Sequence, residues 1–259
     1  MFLKMCPRDA PSMLEISLVE MLRSIHASRI DAARIRNAAS LGAPSNSAPI
    51  APNPSLDRPR VIVSYLSILA LLLSQTPVLF NTFLSGGLAF QATGSTSSAV
   101  LWSMLVDEWI DKFDDIGGGA TGPWVRKLWV MALCVPLSSG DGVAMSRFGE
   151  IANLCVYSLS DDTTRSPMFM PSPDRAAGGA GGAGGAGGAG GGNGSVGMSL
   201  EAAARQKQQS TDPVHCTPLS TTIQGSLQRC QAAVGQGTFQ QAIGATDPST
   251  MSQLQVFLR

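Results

Sequence analysis

Between Pro11 and Leu159 apolar residues recur at three- and four-residue steps in one segment after another, a period that commits each segment to a helix with one buried side. No stretch from Arg60 to Ser160 sustains the apolar-polar alternation and β-branched enrichment of a half-buried strand, so a sheet is unsupported. Leu14, Leu18, Met21, Leu22, Ile25, Ile30 and Ile35 give a first helix over Pro11–Ala39. Pro11 and Ser12 open it, and Glu15 follows Ser12 at the spacing of a capping box. Pro44, Pro49, Pro52, Pro54 and Pro59 then hold residues 42–59 out of helix as an exposed loop. Patterning resumes in predicted helices at Arg60–Ser74, Pro77–Phe90, Ser97–Ile116, Pro123–Leu137 and Asp141–Leu159. Gly117, Gly118 and Gly119 are expected to end the third of these, and Pro136 to break or kink the last turn of the fourth. The fold class is all-α, and period alone does not separate a closed bundle from an open array of antiparallel pairs.

Beyond about residue 161 the composition turns to Gly, Ala, Ser, Gln, Pro and Thr, with too little large apolar surface to offset the entropy of ordering a backbone. The expected organisation is a helical region over residues 1–160 and a long disordered tail over 161–259. A Gly/Ala-rich linker lies at 176–197, where Gly178–Gly192 repeats Gly-Gly-Ala steps suited to a flexible tether. Ala202–Gln208 and Leu227–Ala233 have modest helical propensity but few apolar residues to hold a fold.

Lys plus Arg equals Asp plus Glu, so the chain has no overall pull on nucleic acid or acidic membranes. Cys6, Cys134, Cys155, Cys216 and Cys230 include no C-x-x-C pair and no histidine at ligand spacing, which fits a reducing compartment and points to no metal. Met1–Asp9 lacks the apolar block of a secretory signal. Val61–Leu73 is the most hydrophobic run, yet Ser74, Gln75, Thr76 and Pro77 interrupt it short of the about 20 apolar residues a bilayer span needs. A buried helix explains it without placing that polar break in lipid, and a membrane anchor over Val61–Leu84 is the competing reading.

Gly117-x-Gly119-x-x-Gly122 matches a dinucleotide fingerprint as a string, but an acidic helix stands where the preceding strand is required. Pro123 and Trp124 occupy the positions where a P-loop needs Lys and Ser or Thr, so no cofactor is implied. His26 and His215 sit in separate regions with no nucleophile and carboxylate arranged as a triad, and no catalytic residue is assigned.

Tyr65-Leu66-Ser67-Ile68-Leu69-Ala70 with Leu72-Leu73-Ser74-Gln75, then Trp109-Ile110-Asp111-Lys112-Phe113-Asp114-Asp115-Ile116, and then Arg126-Lys127-Leu128 form an ordered set of motifs across neighbouring helices. With Met131-Ala132-Leu133 and Leu137-Ser138, this set resembles the C-terminal HEAT region of importin-beta superfamily nuclear transport receptors, nearest the branch of importins seven and eleven. Gly117–Gly122 replaces the family's short polar turn, and Pro123-Trp124 precedes the Arg-Lys pair. The resemblance implies HEAT-like antiparallel helix pairs that bind cargo protein without catalysis and shuttle between nucleus and cytoplasm. It implies the C-terminal part of such a receptor, from a cut-down protein or an incomplete gene model. Ran binding does not transfer, because the family's Ran surface lies in N-terminal repeats absent here. A generic helical scaffold or adaptor is the alternative.

Under that resemblance Asp107, Glu108, Asp111, Asp114 and Asp115, which recur along one side of the third helix with only Lys112 to offset them, form a candidate cargo-binding acidic face. A solvated helix face is the competing reading. Trp102, Trp109, Trp124 and Trp129 are expected in helix packing, while exposed tryptophans would offer pockets for nucleoporin Phe-Gly repeats. Cys134 and Cys155 fall on apolar faces as core thiols.

Overall fold

The computed structural model describes residues 10–40, 58–94, 97–117, 122–165 and 212–258. Within them the chain forms twelve α-helices and no strand. These are α1 (Ala10–Ser40), α2 (Arg58–Gln75), α3 (Pro77–Leu84), α4 (Gly87–Thr93), α5 (Ser98–Asp111) and α6 (Gly122–Ser138), then α7 (Gly142–Ser146), α8 (Phe148–Arg165), α9 (Pro213–Cys216), α10 (Leu219–Val234), α11 (Gln236–Ala245) and α12 (Pro248–Phe257). They stack in two rows. Helices α2, α6 and α10 pack side by side in one, while α1, α5, α8 and α12 flank them in the other, and the short helices connect the rows. The array is the all-α class that the apolar period predicts, with the paired helices that the family resemblance implies.

The helix starts follow from capping chemistry. The Ser97 hydroxyl accepts from the Val100 N–H at 3.3 Å, and Asp141 Oδ1 accepts from the N–H groups of Val143 and Ala144 at 3.0 Å each. Pro77 and Pro248 occupy first turns, where a missing N–H breaks no helical bond.

Three predicted helices are divided or shortened. Pro77–Phe90 splits at Ser85 and Gly86, where Gly86 takes an extended backbone and starts α4. Asp141–Leu159 splits at Arg147 into α7 and α8. Helix α5 stops at Asp111, before the glycines; residues 112–116 continue as turns that still bury Phe113 and Ile116. Periodicity carries across breaks of one or two residues, so the sequence reads them as continuous. Gly118 and Gly119 lie outside the described residues, as do residues 42–57 of the predicted loop.

Pro136 does not break α6, which runs through it to Ser138. In the final turn the proline removes one N–H donor, and its carbonyl then accepts from the Ser139 and Asp141 N–H groups at 3.1 Å each. Gly140 reverses the chain at φ 70°, against the end of α10: a Cβ there would lie 2.5 Å from Val234 Cγ1.

The core is laid down by aromatic anchors whose polar atoms are satisfied. Trp109 and Trp129 are fully buried. The Trp109 Nε1–H donates to the Leu66 carbonyl at 3.0 Å, and the Trp129 Nε1–H donates to Ser67 Oγ at 3.0 Å, so α5 and α6 are both fixed to α2. Trp102 packs edge-on to Trp109 with ring centroids 6.0 Å apart, and Phe80 packs on both. Cys134, Cys155 and Cys230 are buried thiols.

The expected disorder of 161–259 is corrected over residues 161–165, which complete α8, and over residues 213–257, which form four helices against the rest of the array. Helix α10 lays Leu219, Ile223, Ser226 and Cys230, all buried, at four-, three- and four-residue steps against α6. Two of these four are small and polarisable, which permits close helix approach but registers weakly as hydrophobic composition. Phe239 of α11 meets Phe148 edge-on at 5.8 Å, and Leu254 of α12 is buried against the array. The Gly/Ala-rich linker at 176–197 lies outside the described residues, as does Ala202–Gln208.

Two outcomes follow from this packing. Ending the chain after Arg165 uncovers the α10-facing side of α6, and the shortened protein should lose its cooperative thermal transition or melt well below the full chain in circular dichroism. Gly140→Ala should cost about 1–2 kcal/mol in urea unfolding, because alanine disfavours a positive φ and its Cβ meets Val234.

Candidate functional site

Helix α5 is held in rotation by its tryptophans. With Trp109 bonded to Leu66 and Trp102 Nε1 donating to Asp141 Oδ1 at 2.9 Å, its acidic residues are fixed against α1 and the α7–α8 junction. At 3.6 residues per turn Glu108 shares an arc with Met104, Leu105 and Leu101, which face the core. Asp107 and Asp111 lie at the margin of that arc.

The five predicted acidic residues therefore divide. Asp107 is clamped: Oδ2 accepts from Arg29 Nη2 at 3.1 Å and Oδ1 from Arg147 Nη2 at 2.9 Å, joining α1 and the α7–α8 junction to α5. Arg147 also meets Glu150 at 3.4 Å. Glu108 is buried at 4% exposure, and burial pushes its carboxyl above the ordinary value of 4.5, outweighing the opposing charges of Arg29 and Lys112. Asp111, Asp114 and Asp115 are exposed, with Asp115 paired to Lys112 at 3.1 Å. The structure brings Asp107, Glu108 and Asp111 to one cleft of about 310 Å³ between α1, α5 and the α7–α8 junction. Asp114 and Asp115 stand outside its lining.

Arg29, Arg36, Arg147 and Glu150, none of them singled out in the sequence, complete that cleft. The available signal was the seven-residue spacing of Arg29 and Arg36, two turns apart on one face of α1. No group of three His, Cys, Asp or Glu among the described residues is arranged to hold a metal ion.

The motif residues near the site are structural ties. Arg126, buried on α6, donates from Nη2 to the Ile116 carbonyl at 2.9 Å and from Nη1 to Asp161 at 2.8 Å, with its guanidinium 5.3 Å from the Tyr157 ring centroid. It joins the turn after α5 to α8. Gly122 closes the preceding loop, since a Cβ there would lie 2.1 Å from the Gly117 carbonyl oxygen. The glycine string follows helix α5 rather than a strand, so the dinucleotide fingerprint has no βα context here.

His215 and His26 are apart. His215 Nδ1 lies 2.8 Å from Asp212 Oδ2, and the Trp124 Nε1–H donates to the same carboxylate oxygen at 3.2 Å, holding the start of α9 on α6. Burial pushes the Asp212 carboxyl up, but hydrogen bonds from His215, the Val214 N–H and Trp124 outweigh it and leave the carboxyl below its ordinary value.

Two rows of packed helices with a charged cleft in the flanking row define a helical-repeat protein. The family described as "Importin-11-like, TPR repeats" matches residues 1–259, and the chain belongs to it. That description names TPR where the motifs suggested HEAT-like pairs; both are stacks of helix hairpins. Importin-11 of Homo sapiens is 26% identical over 202 residues, covering 78% of this chain, and Importin-11 of Mus musculus is 26% identical over 203 residues. The chain spans 19% of the length of each of these relatives. No solved structure matches it. Among the described residues no helix is long and apolar enough to cross a membrane, so Val61–Leu84 is not a span; it forms α2 and α3, with Leu66, Leu69 and Leu73 in the core.

The raised Glu108 carboxyl gives a pH signature. Between 4.5 and its higher folded value the native chain keeps a proton that the unfolded chain has lost, so stability falls as pH rises through that window. Glu108→Gln should therefore melt above the unsubstituted chain at pH 7, and the difference should shrink as pH approaches 4.5.

Proposed function

We propose that this chain is the C-terminal part of an importin-type receptor that binds cargo protein for movement between cytoplasm and nucleus. The observation that carries the reading is the match of the whole chain to the importin-11-like family, joined to an exposed acidic end of α5. The function is binding, with no reaction assigned to any residue.

Asp111, Asp114 and Asp115 present three carboxylates to solvent, with Lys112 between them. A basic segment of a cargo is the complementary partner, drawn by a local field that salt screens over about 10 Å at 0.1 M. Asp107 belongs to the scaffold rather than to the contact surface, since two arginines already occupy its oxygens.

Nucleoporin Phe-Gly repeats are a second partner class under this reading. Trp109 and Trp129 are buried and do not offer pockets for them. A better-suited place is the apolar groove of about 240 Å³ lined by Phe148, Leu227, Phe239, Ile243, Met251 and Leu254.

A fluorescent peptide rich in Lys and Arg, titrated against the full chain in anisotropy, tests the cargo reading. Asp111→Lys with Asp114→Lys should weaken binding at least tenfold with an unchanged melting temperature. Raising salt from about 0.05 to about 0.3 M should weaken the unsubstituted chain as well. Unchanged binding in the double variant would count against the acidic face and favour a generic helical scaffold.

A further inference from the structure

Two charged side chains are buried among the described residues, Arg126 and Glu108, and they are treated differently by their surroundings. Arg126 donates to Asp161 and to the Ile116 carbonyl. The Glu108 carboxylate makes no ion pair and accepts no hydrogen bond among the described residues, and its oxygens open on the cleft between α1, α5 and the α7–α8 junction, Ser158 Oγ being the one fully enclosed side-chain N or O atom without a partner among those residues. Lys112, one turn on, is engaged by Asp115. A largely desolvated carboxylate without a partner in the chain lowers the stability of the fold that carries it, and glutamine would relieve the cost. Groups held at such a cost are where function is sought.

The cleft defines what could complete it. Its lining sets Asp107, Glu108, Asp111 and Glu150 against Arg29, Arg36 and Arg147, an excess of one carboxylate. Arg29 and Arg147 are already committed to Asp107, and Arg147 also to Glu150. An anion would have to approach Glu108 and Asp111 against like charge. At about 310 Å³ the space is at the low end of ligand pockets, room for one long side chain rather than a folded surface.

We propose that this cleft is a socket for a single cationic side chain, arginine or lysine, of a bound protein, whose charged head pairs with Glu108. Asp111 at the rim guides the head inward, and the Arg29–Asp107–Arg147 clamp keeps the walls apart. The proposal rests on the basic-cargo reading for the source of the side chain. It adds a buried anchor to a surface otherwise made of exposed carboxylates, so that Glu108 fixes the register of a basic segment and Asp114 and Asp115 supply attraction.

The test uses the full chain and a basic nonapeptide whose arginines are replaced one at a time by citrulline, which keeps shape and removes charge. One citrulline position should weaken binding at least tenfold and the others less than threefold. Glu108→Gln should weaken the parent peptide about as much as that one citrulline, raise the melting temperature, and abolish the difference between citrulline positions. Asp114→Asn with Asp115→Asn should lower affinity while keeping the position dependence. Binding within twofold of normal in Glu108→Gln overturns the socket, as does equal weakening at every citrulline position. In either case, weakening by Asp114→Asn with Asp115→Asn leaves the acidic-face reading standing. If the unsubstituted chain does not bind the peptide, both readings fall.

Discussion

The structure depends on α6 being covered around most of its circumference, with only a stripe through Lys127, Met131 and Val135 partly open. Leu128, Trp129, Val130, Ala132, Leu133, Cys134 and Leu137 are all covered, and those residues run round the helix rather than along one stripe. A helix that buries large apolar residues over so much of its circumference has to sit between others. Helix α2 covers one side with Leu66 and Leu69, α8 another with Ile151 and Cys155, and α10 a third with Leu219 and Ile223. Each fully buried side chain of this size contributes about 1.5–3 kcal/mol, so none of the three neighbours is dispensable in a fold of ordinary marginal stability. The residues that tie the rows together serve the same end. Arg126 reaches from α6 to both the turn after α5 and the end of α8, which places the acidic helix relative to the core rather than leaving it as an appendage.

That constraint explains what could be read from the sequence and what could not. The face of α1 through Leu18, Leu22 and Ile25 and one side of α6 through Leu128, Trp129, Ala132 and Leu133 were legible because large residues at helical steps leave few alternatives, while the burial of α6 on its further sides was not. The divisions at Gly86 and Arg147 were not legible either, because a break of one or two residues leaves the period of the flanking turns nearly intact. The helices after residue 212 were hidden for a different reason. Helix α10 buries a line that includes Ser226 and Cys230, and α11 and α12 rely on one fully buried side chain each, Phe239 and Leu254. Their stability comes from the surface of α6 and α8 they cover, which composition of the segment alone cannot display.

The acidic run on α5 shows the same limit at the level of chemistry. From spacing, Asp107, Glu108 and Asp111 are equivalent members of one face. Their fates are set by residues distant in sequence: Arg29 on α1 and Arg147 between α7 and α8 neutralise Asp107, while the packing of α5 against the core draws Glu108 below the surface. A charge run on a helix at the margin of an array is thus divided by its neighbours into scaffold and surface.

Two opposed demands meet at Glu108. A well-packed margin would exclude a charged group or pair it, as it does Asp107 a residue earlier and Arg126 on the next helix. Pairing Glu108 in the same way would require a third guanidinium beside Asp107, where Arg29 and Arg147 already stand, and Arg36, which also lines the cleft, forms no ion pair with Glu108. The clamp that ties α1 and the α7–α8 junction to α5 commits both arginines to Asp107 and leaves Glu108 without one of its own. A partner that brings its own cation meets no such conflict, because its charge arrives without a second arm to be anchored in the array.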